Sequence, residues 1–348
     1  MTTSAGDRRA RGTRGVRRLT VLAAVLAVLV TAACGGTETA KPAGGATTAP
    51  ETTASETTST DASVALADGQ YVENAADFVD AADWDAATNV VIDMGEMYFE
   101  PKDVTLEAGK PYVLELVNSG AVEHEFVAEG FFRSVATRKI ETADAEVEVP
   151  FFTETEVFAG KTVELLVIPV IPGTYAMLCE IPGHREAGME GTITVTGSAP
   201  TEPAPVIGDM TAGPWLQNGP EIVEAASETW DAKVETIRIE AGEDGAAMFF
   251  EPKKPVLKVG TPYVLELVNV GKIVHMYDAP DFFATVAFRK AQDAEGEYKG
   301  PLLKDAEVFS GKQLDLYLIP TKAGTFEIFC EIEGHREAGM EGTITVTE

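Results

Sequence analysis

The sequence predicts an all-β chain of two tandem Greek-key β-sandwich domains, each opened by a short helix. Three observations predict it. Short apolar runs with strand periodicity recur, among them PYVLELVN at 111–118 and TVELLVIP at 162–169. Glycines punctuate these runs: Gly109, Gly120, Gly160 and Gly173 in the first half, and Gly260, Gly271, Gly311 and Gly324 in the second. The halves also repeat each other at a constant offset of 151 from Met97 to Thr196, with 54 of 100 aligned pairs identical. A repeat that long is a duplicated domain, not a solenoid, and several short strands in each copy suit a sandwich.

The elements follow in chain order. Residues 1–33 read as an export signal. Arg8, Arg9, Arg11, Arg14, Arg17 and Arg18 make a basic start, and LTVLAAVLAVLVTAA (19–33) is an apolar run of 15 residues. A membrane-spanning helix needs about 20, so the run suits a cleaved signal. Ala32 and Ala33 before Cys34 resemble a bacterial lipoprotein processing site, which would leave Cys34 as the lipidated first residue. Residues 34–69, rich in Thr, Ala and Pro, are expected to be a disordered stalk. Residues 70–197 are the first domain, 198–213 a Pro-bearing and semi-rigid linker, and 214–348 the second domain. FVDAADWDAA (78–87) resembles IVEAASETWDA (222–232), so each domain is expected to open with a helix that Trp84 or Trp230 staples down. The charged stretches 129–155 and 280–306 read as long surface loops, with one helical turn in FFRSVATRK and FFATVAFRK.

Composition removes whole function classes. Acidic residues outnumber basic ones 56 to 27, for a net charge of −29. A nucleic-acid binder needs a basic face to displace counterions. The lone long apolar run excludes a polytopic membrane protein. Loss of residues 1–33 would remove six Arg and one Asp, leaving 21 basic and 55 acidic residues and a net −34. Such charge keeps a protein soluble, and it steers encounters toward cationic partners.

The rare residues carry the chemistry. The first copy holds His124, Cys179, His184 and Met189; the second holds His275, Cys330, His335 and Met340. These eight include all four His of the chain and every Cys except Cys34. The pattern is Cys-x4-His-x4-Met, with one His 55 residues before each Cys. An isolated buried Cys or His ordinarily fills core. Three residue types at one spacing, twice over, ask for a metal. Two imidazoles, one thiolate and a weak thioether form the electron-transfer copper set, whereas structural zinc prefers four Cys or His ligands. One Cys per domain excludes a thiolate-bridged dinuclear centre.

With these residues in place, the chain resembles the cupredoxins, the plastocyanin/azurin-type blue copper proteins. Asn118, Gly120 and His124 match their N-x-G-x3-H motif, as do Asn269, Gly271 and His275; CEIPGHREAGMEG and CEIEGHREAGMEG match the C-terminal one. The ligand spacing looks most like that of rusticyanin and auracyanin. The resemblance implies one type 1 copper per domain and two ions per chain. Where the family often has a polar donor after the first His, this chain has Glu125 and Met276, and Pro182 of the first ligand loop becomes Glu333 in the second. Outer hydrogen bonds tune a metal site, so the two potentials are expected to differ.

The reading that follows is an exported electron carrier tethered by a lipid on the extracytoplasmic face of the membrane. Its partners would be redox proteins, such as a cationic cytochrome or a membrane oxidoreductase. A copper reductase or oxidase also uses such repeats but needs further His ligands for a catalytic metal, and the two sets use all four, so in such a system the chain would be the electron-donating subunit and a partner would supply the catalysis. A copper chaperone or store is the alternative, although Met-rich or His-rich tracts for exchangeable metal are not evident.

Overall fold

The computed structural model describes residues 66–232 and 234–348. The export signal, Cys34 and nearly all of the stalk lie outside the described residues. Among the described residues, no helix is long and apolar enough to cross a membrane.

Each half is a β-sandwich whose strands alternate as predicted. Tyr112–Asn118 buries every second side chain, and Asp103–Glu107 buries Val104 and Leu106 while its charged residues face water. In the first half one sheet contains, in order, Ala145–Glu148, Val135–Glu141, Thr162–Pro169, Tyr112–Asn118, Thr88–Gly95 and Tyr98–Glu100. The other contains Glu154–Val157, His124–Val127, Gly173–Leu178, Glu190–Thr196 and Asp103–Glu107. Parallel pairs, Thr88–Gly95 with Tyr112–Asn118 and Glu190–Thr196 with Asp103–Glu107, close the Greek-key connections. The second half repeats the arrangement, including the parallel pair of Glu235–Asp244 with Tyr263–Asn269.

The regions read as long surface loops are instead ordered elements, and they join the two halves. Each carries a short helix, Glu129–Arg133 or Pro280–Phe283, that buries two phenylalanines. Each then runs as two strands, Val135–Glu141 with Ala145–Glu148, and Val286–Gln292 with Gly296–Lys299. Ala145–Glu148 pairs with Asp305–Val308 of the second half, and Gly296–Lys299 pairs with Glu154–Val157 of the first. The two joints are equivalent under the repeat offset and have the same register. Ion pairs cross the strands of these stretches: Lys139 meets Glu146 and Lys290 meets Glu297 within each half, and Lys299 meets Glu154 across one joint. Cross-strand ion pairs let a charged sequence lie in a sheet, which is why its composition resembled a loop. One apolar core, including Leu114, Leu165, Leu265 and Leu316, runs through both halves.

The leading helix Ala75–Ala81 packs Phe78 onto Ala136, Ile168 and Val170. Burying a phenylalanine there stabilises the fold by roughly 1.5–3 kcal/mol. Trp84 follows it, donating from Nε1 to the Val79 carbonyl at 3.0 Å, with the Arg138 guanidinium 4.9 Å from its ring. Trp230 has Arg289 in the matching place, 5.1 Å from its ring, and lies 6.1 Å from Tyr317. The segment between the copies turns back onto the start of the first domain: Ile207–Asp209 pairs antiparallel with Gln70–Val72.

Candidate metal centre

The strand His124–Val127 presents His124 inward, paired with Val157 of the neighbouring strand. What holds it is a buried asparagine. Asn118 Nδ2 donates to the carbonyls of Val122 and Val157, each at 2.8 Å, and its Oδ1 accepts from Gly120 N at 2.9 Å. Asn269 repeats all three bonds with Ile273, Val308 and Gly271. The motif Asn-x-Gly-x3-His is therefore a clamp on the turn that delivers the histidine.

The remaining residues come from a loop that hydrogen-bonds to itself. Cys179 follows the strand Gly173–Leu178 directly. Its amide donates to the Met189 carbonyl, and the Met189 amide donates to the His184 carbonyl, both at 3.1 Å. His184 N in turn bonds the Ile181 carbonyl at 3.0 Å. Gly188 turns the loop back at φ +112°, a conformation glycine reaches without a Cβ penalty. Cys330, His335 and Met340 make the same three bonds in the second half.

The donor atoms converge in both halves. His124 Nδ1 lies 3.2 Å from His184 Nδ1, and Cys179 Sγ lies 3.4 Å from the same nitrogen. Cys330 Sγ lies 3.3 Å from His335 Nδ1. In each triad the ligand atoms lie within 4.8 Å of one another. Separations of 3.2–3.4 Å are those expected between donors that each bond one ion at about 2.0–2.3 Å. The imidazole rings meet at matching geometry, with centroids 5.1 Å apart at 60° in the first half and 5.2 Å apart at 62° in the second. Met189 and Met340 are fully buried and anchored by the backbone bonds to their loops. The structure thus brings the predicted His and Cys residues together in each half, with the Met on the loop that carries them.

Burial sets the electrostatics. It pulls the imidazoles of His124, His275 and His335 below their ordinary range, so they are neutral and ready to coordinate. It pushes the Cys179 thiol up, against amides of Glu125 and Ile181 that favour the thiolate. Cys330 is pushed up to about 11 by the same burial, and the Met276 amide points at its sulfur from 3.3 Å. An unsatisfied buried donor set of this kind is stabilised by a soft cation, which supplies the charge the thiolate needs. The chemistry of the set suits copper. His124 and His275 are wholly enclosed, whereas His184 and His335 keep 9% and 6% of their surface. Each centre therefore reaches solvent along the edge of its second histidine.

Sequence reading missed one feature of the site. Glu96 and Glu243, from the hairpins beside the His124 and His275 turns, accept hydrogen bonds from those turns. Glu96 takes the amide of Ala121, and Glu243 takes those of Lys272 and Ile273. The hairpins differ in length, so these residues fall outside the constant repeat offset.

Residues 75–195 match the model of the cupredoxin-like domain. Over 99 residues the chain is 30% identical to the "Copper-resistant cuproprotein CopI" of Rubrivivax gelatinosus, covering 28% of this chain. The match spans 60% of that relative's length. Among solved structures, auracyanin from Roseiflexus castenholzii matches at 22% identity over 32% of this chain and 99% of its own, with a TM-score of 0.24. The Cu-containing nitrite reductase of Thermus scotoductus matches at 13% identity over 75% of this chain and 62% of its own, with a TM-score of 0.29.

Proposed function

Because residues 75–195 are a cupredoxin-like domain and residues 248–347 repeat most of it, we propose that this copper-binding chain is an exported electron carrier with two type 1 sites. His124, Cys179, His184 and Met189 would hold one ion; His275, Cys330, His335 and Met340 would hold the other. The observation that carries the reading is the pair of buried His-Cys-His triads, matched in geometry and built on self-bonded loops. Bound copper supplies a one-electron couple. The chain supplies a donor set fixed by the Asn118 and Asn269 clamps, so little has to move when the charge changes. It also excludes water from His124 and His275 and leaves only the edges of His184 and His335 near the surface.

A carrier rather than an enzyme is favoured because the two sets use all four His of the chain, leaving none for a second type of metal centre. Tethering through Cys34, placement on the extracytoplasmic face and docking to a cationic redox protein complete the proposal. The net charge of −34 that remains without residues 1–33 favours such a partner. A second reading, copper sequestration, draws support from the resistance role in the name of the Rubrivivax gelatinosus relative.

Copper loading of the purified soluble chain separates the two. A carrier binds two equivalents, shows intense red-region absorption with a narrow copper hyperfine pattern, and bleaches and recovers through repeated reduction and oxidation. Colourless uptake of readily exchangeable Cu(I) overturns the carrier in favour of sequestration.

A further inference from the structure

The two centres are not equal in what faces the enclosed histidine. In the first half the hairpin closes where Gly95 pairs with Tyr98, which leaves Glu96 in the turn itself. In the second half the hairpin is four residues longer, and Glu243 lies within the strand Glu235–Asp244, in register with Met248. That register fixes Glu243 against the turn before His275. Its carboxylate takes the amides of Lys272 and Ile273 at 3.1–3.2 Å, and Oε1 stands 3.3 Å from His275 Nε2. His275 is fully buried, and neither of its ring nitrogens has a well-aligned hydrogen bond among the described residues. In the first half Glu96 is turned to Ala121, and His124 Nε2 has no hydrogen-bond partner among the described residues.

On the reading of two copper sites, we propose that Glu243 is a positioning residue that keeps the His275 proton on Nε2 and makes the second centre the more reducing of the two. The argument is electrostatic. A carboxylate beside Nε2 favours the tautomer that carries its proton there, leaving the Nδ1 lone pair directed at the ligand site. It also makes the imidazole a stronger donor and adds negative charge close to the ion. Both effects favour the more positively charged oxidised state and so lower the potential. At the first centre Glu96 acts on His124 without a close contact to Nε2 among the described residues, so this bias is weaker.

The test uses the full chain and Glu243→Gln, which removes the charge and retains one oxygen, the counterpart of the Oε1 that both turn amides reach at 3.2–3.3 Å. In the metal-free protein, nitrogen-15 NMR of the ring should find His275 protonated on Nε2 in the wild type, with that proton signal moved upfield in the variant. Copper-loaded protein carrying Cys179→Ser, which leaves only the second centre, is titrated with and without Glu243→Gln. The expected result is a potential that rises in the double variant. Glu96→Gln in the complementary Cys330→Ser background should shift the first centre less. A His275 protonated on Nδ1, or a second-centre potential unmoved by Glu243→Gln, overturns the proposal. Absence of the intense visible band in loaded wild-type protein instead overturns the carrier reading and the claim about potential with it, while the tautomer still tests the positioning role.

Discussion

Thr142 and Asp293 occupy equivalent positions in the two copies, and they touch. The Thr142 hydroxyl donates to Asp293 Oδ2 at 2.6 Å, with both residues buried. Equivalent residues meet only where two repeats face each other about a local two-fold axis. The same carboxylate accepts from the Tyr298 hydroxyl at 2.7 Å and from the amides of Glu295 and Gly296. Burial raises the Asp293 carboxyl, and these four donors work against that rise. Thr142→Val removes this donor and also the acceptor for the Asp144 and Ala145 amides, and should cost about 1–3 kcal/mol, whereas Thr142→Ser should cost less. Thermal unfolding of the two variants checks this.

Reciprocal strand pairing also predicts how the protein unfolds. Ala145–Glu148 and Gly296–Lys299 each complete a sheet of the other half, and the core is continuous through both. Calorimetry of the metal-free chain should therefore show one transition, with calorimetric and van't Hoff enthalpies equal. Two resolved transitions would mean that the joints are too weak to couple the halves.

The joints differ in charge, and this gives a pH dependence. Lys299 meets Glu154 across one of them, while their counterparts across the other, Glu148 and Asp305, are both carboxylates, with Lys304 beside them. Burial first, and then Glu148, push the Asp305 carboxyl up to about 8. A carboxyl raised in the folded state binds its proton more tightly there than in the unfolded chain. Stability is therefore lost as pH rises from the ordinary carboxylate range toward 8, and the full cost is present above it. Asp305→Asn mimics the protonated form. It should raise the melting temperature at pH 8 by a few degrees and change it little at pH 5; an equal effect at both values would contradict the assignment.

The ligand loops predict a packing limit. A Cβ on Gly191 would collide with the Lys102 carbonyl, because the strand that follows the loop runs close against Asp103–Glu107. Gly191→Ala should cost about 1–3 kcal/mol by overpacking and weaken copper retention in the first centre more than in the second. Gly342 meets Lys253 in the same way, so Gly342→Ala should do the reverse.

Much of this was legible in the sequence for particular reasons. The His, Cys and Met residues of the site stood out because those residue types are scarce and recur at one spacing. The Asn118 motif marked the turn before His124, and its clamp is what the structure adds. The strands that join the halves were hidden because Lys139, Glu146, Glu297 and Lys299 make them look solvated, and only their cross-strand partners reveal a sheet. Glu243 was hidden for another reason: it sits where a longer hairpin breaks the repeat, so alignment of the copies passes over it.

Each copper centre is predicted to stand by itself, and one substitution tests that most directly. Copper content and visible spectra of the wild type should give two equivalents and one intense band. Cys179→Ser, in an otherwise folded chain, should remove one equivalent and about half of the band. Loss of all colour from that change, or full retention of it, would contradict two independent thiolate-bound sites.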